Sequence, residues 1–122
     1  MALLEVDGLC KRYGAVVVAD RVSFDLDLGS CLGVIGPNGA GKSSVFNLIA
    51  GTVAADAGAI RFAGQDVTRL RVFQRARLGI VRAFQIPQPF AHLTVFENLL
   101  VAAQYGAGLT GEAAEDWVLE VL

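Results

Sequence analysis

The chain has 122 residues, 54% of them hydrophobic and 18% charged, with a formal net charge of −2; this suits one small, well-buried globular domain or part of a larger one. The balance of charge gives no global pull toward nucleic acid, so no nucleic-acid partner is expected. No apolar run approaches the ~18 residues that span a bilayer, and the first fourteen residues carry acids where a secretory leader would be basic and then apolar, which makes a cytoplasmic chain the simplest reading.

The first thirty residues read as strand-rich: Leu3 to Val6, Val16 to Ala19, and the alternating Val22 to Leu28, whose period of two places its apolar side chains on one face. Gly8, Gly14 and Gly29 punctuate these segments. Cys31-Leu32-Gly33-Val34-Ile35 reads as a short, buried apolar strand, and Ser44 to Ala50 as a helix ended by Gly51. Cys10 and Cys31 are far from any C-x-x-C spacing and are expected to be reduced, buried thiols. Ile60 to Phe62 predicts another strand with a turn at Gly64, followed by a basic helix over about Val67 to Leu78 and a strand from Ile80 to Phe84, closed by Gln85. Arg69, Arg71, Arg75, Arg77 and Arg82 are half of the ten cations, and a solvated helix face is the expected setting for them.

Pro87 and Pro89 then force an extended loop. Thr94-Val95-Phe96-Glu97 has the spacing of a capping box, which predicts a helix from Val95 to about Gln104, broken by Gly106 and Gly108. A last helix opens near Thr110 and sets Ala113, Ala114, Trp117, Val118, Val121 and Leu122 on one stripe, so Trp117 is expected in a core. Leu122 falls in mid-stripe without a capping glycine, and the natural protein is expected to continue.

The segment with the most chemistry is Gly36-Pro37-Asn38-Gly39-Ala40-Gly41-Lys42-Ser43-Ser44, which matches G-x-x-x-x-G-K-[ST] between an expected strand and an expected helix. Glycines at 36, 39 and 41 free the backbone to curl its N–H groups around phosphate oxygens. Lys42 would add a point charge at the β- and γ-phosphates, the Ser43 hydroxyl would ligate Mg²⁺, and the helix would present its positive end to the same anion. The cofactors implied are ATP and Mg²⁺.

With that loop, a strand-rich start, a strand ending in Gln85 and an acidic helical segment behind it, the chain resembles the first half of an ABC transporter ATP-binding subunit. Gly79 to Gln104 (GIVRAFQIPQPFAHLTVFENLLVAAQ) and GPNGAGKSSVFNLIAG are similar to the LivG-like subunits of branched-chain amino acid uptake. The resemblance implies an α/β fold: an ABC-type P-loop NTPase core over about residues 31–51 and 79–85, an N-terminal antiparallel β lobe over about 1–30 and 58–66, and the start of a helical subdomain over about 90–122. It implies that Tyr13 stacks on adenine and that Gln85 contacts Mg²⁺ or the attacking water, so that Lys42 and Gln85 are the candidate catalytic residues and Ser43 and Gln85 the candidate metal ligands. Its implied partners are a second ATP-binding subunit and integral membrane permease subunits, at the cytoplasmic face of the membrane.

The family's LSGGQ signature and its strand ending in Asp-Glu are absent from the sequence. Asp20 follows an apolar run but is followed by Arg21 and precedes the phosphate loop, so it reads as a strand-end residue. His92 comes too early to match the family's switch histidine. The chain alone is therefore expected to bind nucleotide but hydrolyse almost none. Two other readings are a small P-loop kinase, disfavoured by some 35 residues ahead of the loop, and an ABC-type ATPase of DNA repair or chromosome structure or a nucleotide-gated module, disfavoured by the near-absence of aromatics among the arginines at 69–82.

Overall fold

Strand β1 (Ala2–Tyr13) turns at Gly14 and Ala15 and returns as β2 (Val16–Asp27) in a long antiparallel hairpin. The computed structural model describes residues 2–36, 41–84 and 86–122. Both strands run longer than their sequence suggests, because two bulges absorb the residues that look like breaks. Asp7 and Gly8 face the single Ser23, with Gly8 at φ 60° and its N–H donating to Ser23 Oγ at 2.8 Å. Further along, Asp20 and Arg21 oppose Cys10, with Arg21 at φ 48° and its N–H on Cys10 Sγ at 3.4 Å. Such insertions keep the pairing while re-aiming the side chains beyond them. Asp20 thus lies inside β2 and not at its end, an exposed residue with the Arg21 guanidinium at 3.6 Å.

β3 (Ala57–Phe62) pairs with the other side of β1, and the two-residue β4 (Gln65–Asp66) pairs with β3, giving the antiparallel order β2-β1-β3-β4. Ala63 and Gly64, at φ 50° and 80°, form the two-residue turn that the strand twist favours. Where β1 and β3 cross, a Cβ on Gly58 would lie 2.5 Å from Gly8 O and 2.7 Å from Leu9 Cα, and Gly58 itself is at φ +96°. Only glycine fits that approach. Helix α1 (Lys42–Ala50) ends at Gly51, which is left-handed at φ 91° and donates its N–H to Asn47 O, as its sequence predicts. The buried apolar side chains of this first unit, Met1–Val72, include Val6, Leu9, Ala19, Leu48, Ile60 and Val67.

Several expectations are corrected. The basic helix begins only at Val72 (α2, Val72–Leu78). Val67 N–H instead bonds Ile60 O at 2.9 Å, and Thr68 Oγ1 accepts Ile60 N–H at 2.8 Å while donating to Asp66 Oδ1 at 2.6 Å, so short polar side chains hold this stretch to the sheet edge. Arg75 is buried at 3% exposure and departs from the solvated face expected of the arginines. Residues 31–35 and 80–84 are not strands. Apolar runs become strands only with ladder partners, and the described sheet contains neither segment. Cys31 is consequently exposed, while Cys10 within β1 is half-buried, and both are free thiols.

The second unit, Phe73–Leu122, is built on helices. Helix α3 (Val95–Val101) opens on the predicted capping box: Thr94 Oγ1 accepts Glu97 N–H at 3.1 Å, and Glu97 Oε1 accepts Thr94 N–H at 2.9 Å. It continues as a π-helical turn, Ala102–Gly106, and the chain returns as α4 (Gly111–Val121). Ala103, Ala114 and Val118 are buried, with Phe96, Leu99, Leu100, Leu109 and Trp117 packed on them. The stripe on α4 is narrower than expected, because Ala113, Val121 and Leu122 are exposed; α4's only buried residues, Ala114 and Val118, are one helical turn apart. No helix among the described residues is long and apolar enough to cross a membrane.

Candidate functional site

The start of α1 is the most specialised backbone in the first unit. Gly41 caps the helix in the left-handed region at φ 90°, ψ 10°, and a Cβ there would sit 2.4 Å from Val18 O of β2. Neither the torsion nor the space tolerates a side chain. Among the described residues no side chain caps α1, and its first turn carries no acid. Its leading N–H groups and positive dipole end are therefore not offset by the helix's own side chains.

Lys42, half-buried as the first residue of α1, donates its ammonium to Gly36 O and so ties the two ends of the loop together. Ser43 is exposed and Ser44 half-buried on the same first turn. The structure thus gathers Gly36, Gly41, Lys42, Ser43 and Ser44, while Pro37, Asn38, Gly39 and Ala40 lie outside the described residues. A left-handed Gly41 held against Val18 O, an ammonium beside Gly36 O and a helix start with no acid in its first turn are a donor set of the kind that suits a phosphate chain.

Tyr13 ends β1 at the hairpin tip, 55% exposed, with the Lys11 ammonium 5.1 Å above its ring centroid. Gln85 lies outside the described residues. His92 is exposed.

Sequence reasoning missed Asp56. The β1–β3 ladder stops at the Cys10–Ala57 pair, and from there Asp56 takes over. Its N–H donates to Cys10 O at 2.8 Å, its Oδ2 accepts Arg12 N–H at 2.9 Å, and its Oδ1 pairs with Lys11 Nζ at 3.4 Å. The Arg12 N–H and then the Lys11 ammonium hold its carboxyl below the ordinary aspartate range. Asn98 was missed likewise: it accepts Phe90 N–H at 2.8 Å and donates to Phe90 O at 3.1 Å and Thr94 O at 2.9 Å, which fixes the turn entering α3. Neither residue has a local pattern that announces it, since both act on partners set by the fold.

The sequence profile of the ABC transporter family matches residues 19–122. The chain belongs to the ABC transporter family. It is 40% identical over 121 residues to LivG of Archaeoglobus fulgidus, a probable branched-chain amino acid transport ATP-binding protein, covering 98% of this chain and 47% of that protein. It is also 45% identical over 96 residues to the sulfate/thiosulfate import ATP-binding protein CysA of Bordetella pertussis, covering 79% of this chain and 26% of that one. Among solved structures, the ADP conformation of MJ1267, an ATP-binding cassette of an ABC transporter, matches at a TM-score of 0.75 and 35% identity over 96% of this chain and 46% of that chain. This ABC family member therefore has the fold of about half of an ATP-binding cassette and spans less than half the length of these relatives.

Proposed function

We propose that the chain is the nucleotide-gripping part of an ATP-binding, ATP-hydrolysing subunit of an ABC transporter. The observation that carries this reading is the start of α1, where left-handed Gly41 lies against β2 and Lys42 is tethered to Gly36 O. In this reading Gly36 to Ser44 would bind and orient the triphosphate, the loop's backbone N–H groups and the Lys42 ammonium, which now donates to Gly36 O, supplying the donors. Tyr13 offers its ring to adenine. Ser43 and Gln85 are the residues that would hold Mg²⁺, which when bound neutralises charge on the phosphate oxygens.

Neither the family's signature segment nor its Asp-Glu strand occurs in this sequence, so we assign binding to the 122 residues and expect almost no hydrolysis from them alone. The β lobe over about 1–30 and 58–66, the loop core and the helical start over about 90–122 are the parts assigned to this half of the cassette. Its partners would be a second ATP-binding subunit and permease subunits at the cytoplasmic membrane face. The LivG likeness supports branched-chain amino acids as cargo. The CysA likeness sets sulfate as the competing solute, and uptake of labelled leucine against labelled sulfate by the assembled transporter separates the two.

The binding assignment is tested by calorimetric titration of MgATP into the wild-type chain and Lys42→Ala. Removal of the ammonium should weaken binding about 10- to 100-fold, as expected for a charge-assisted contact to an anion. Equal affinity would sink the assignment.

A further inference from the structure

Tyr13 lies at the far end of an arm that β3 does not reach. Beyond the Cys10–Ala57 pair, β1 is laddered only to β2, through Lys11–Ala19, Arg12–Val17 and Tyr13–Val16. On the β3 side the Arg12 N–H would be an open donor, and a two-stranded tip of this kind is weakly held on its own. Asp56 supplies the missing acceptor. One oxygen of its carboxylate takes the Arg12 N–H at 2.9 Å, while its backbone N–H holds Cys10 O at 2.8 Å.

The second carboxylate oxygen reaches Lys11 Nζ at 3.4 Å, and that ammonium lies 5.1 Å above the Tyr13 ring. One acid therefore fixes two things: the backbone from residue 10 to residue 12, and a cation on one face of the ring that follows. A cation at this distance is attracted to the face of an aromatic ring and restrains it. The Tyr13 side chain is nevertheless more than half exposed, so a planar ligand still has a face to meet.

We propose that Asp56 and Lys11 are positioning residues for Tyr13, holding its ring so that one face is taken by the Lys11 ammonium and the other receives the base of a nucleotide. This deepens the nucleotide reading above and rests on it. It assigns base recognition to the Asp56–Lys11–Tyr13 group and leaves the phosphates to Gly36–Ser44, so the two contributions are separable.

The test compares the affinity of the full chain for MgATP with that for Mg-tripolyphosphate, which carries the phosphates without a base. Tyr13→Ala should lower the ATP-to-tripolyphosphate preference about tenfold, the size of a lost base–aromatic stack. Asp56→Ala should lower it about fivefold through a lost hydrogen bond and ion pair, with tripolyphosphate binding unchanged. Asp56→Asn, which keeps an oxygen for the Arg12 N–H, should retain part of the preference, and Lys11→Met should reproduce the remainder. If Asp56→Ala does not fold, Asp56→Asn and Lys11→Met decide the question.

A preference unchanged in Asp56→Asn and Lys11→Met, or a loss equal for both ligands, overturns the positioning role while the phosphate loop stands. Failure of the wild-type chain to bind either ligand is a different result, and it overturns the nucleotide reading beneath the proposal.

Discussion

The two units of the chain reach order by opposite routes. The first is closed by partners far apart in sequence, β1 against β2 and β3, with the large side chains Leu9, Leu48 and Ile60 fully buried. In the second, α3 and α4 are short, α3 is opened by a local capping box, and both pack around small residues, Ala103, Ala114 and Val118. The difference teaches where specialised geometry is placed. Gly41 and Tyr13, the two candidate ligand contacts with the most demanding settings, both sit on the long-range scaffold, where the strands fix their backbone.

The comparison can be broken most directly by Leu9→Ala. Emptying this fully buried site should destabilise the first unit by about 3 kcal/mol, with loss of MgATP binding. Trp117, the single tryptophan, packs against Ala103, Ala114 and Val118 in the second unit and reports on that core. Its fluorescence transition in urea should stay in place; if it moves with the β-sheet circular dichroism signal, the units unfold as one and the contrast fails. Val118→Ala is the reciprocal change. It should shift the Trp117 transition by about 2 kcal/mol and leave the affinity for MgATP unaltered. Thr94→Ala removes the cap of α3 and should cost about 1 kcal/mol by the same probe.

The smallest effect is on pH. The Thr94 backbone N–H and then its hydroxyl hold the Glu97 carboxyl below its ordinary value of 4.5. A depressed folded value means that the contribution is complete above about pH 4.5 and lost as pH falls through the lower folded value. Helical circular dichroism titrated from pH 6 to 3 should show this loss in the wild-type chain, and the Glu97→Gln variant should lack it.

What the sequence revealed was local. The capping box of α3, the left-handed stop at Gly51 and the glycine-lysine turn into α1 each depend on residues within a few positions, so residue type and spacing suffice to read them. Gly8 misled because a glycine in a strand resembles a break until its partner Ser23 is known to accept the N–H of a bulge. Residues 31–35 and 80–84 misled in the other direction: both have the apolar run of a buried strand, but pairing is decided by neighbours and not by the run itself. Asp56 was illegible for the same reason. Nothing within its own stretch of chain indicates that it would finish a ladder for Arg12, 44 residues away.

The crossing at Gly58 has a consequence in the language of sequence variation. With its positive φ and three backbone atoms of β1 closer than a Cβ can approach, this position has an alphabet of one letter. The neighbouring Asp56 can be exchanged and its effect measured, whereas a change at 58 pries β1 from β3 and takes the arm that carries Tyr13 with it. A library randomised along 54–60 would therefore contain its own internal standard: the column that stays glycine marks the variants in which the sheet, and with it the tip that carries Tyr13, has formed.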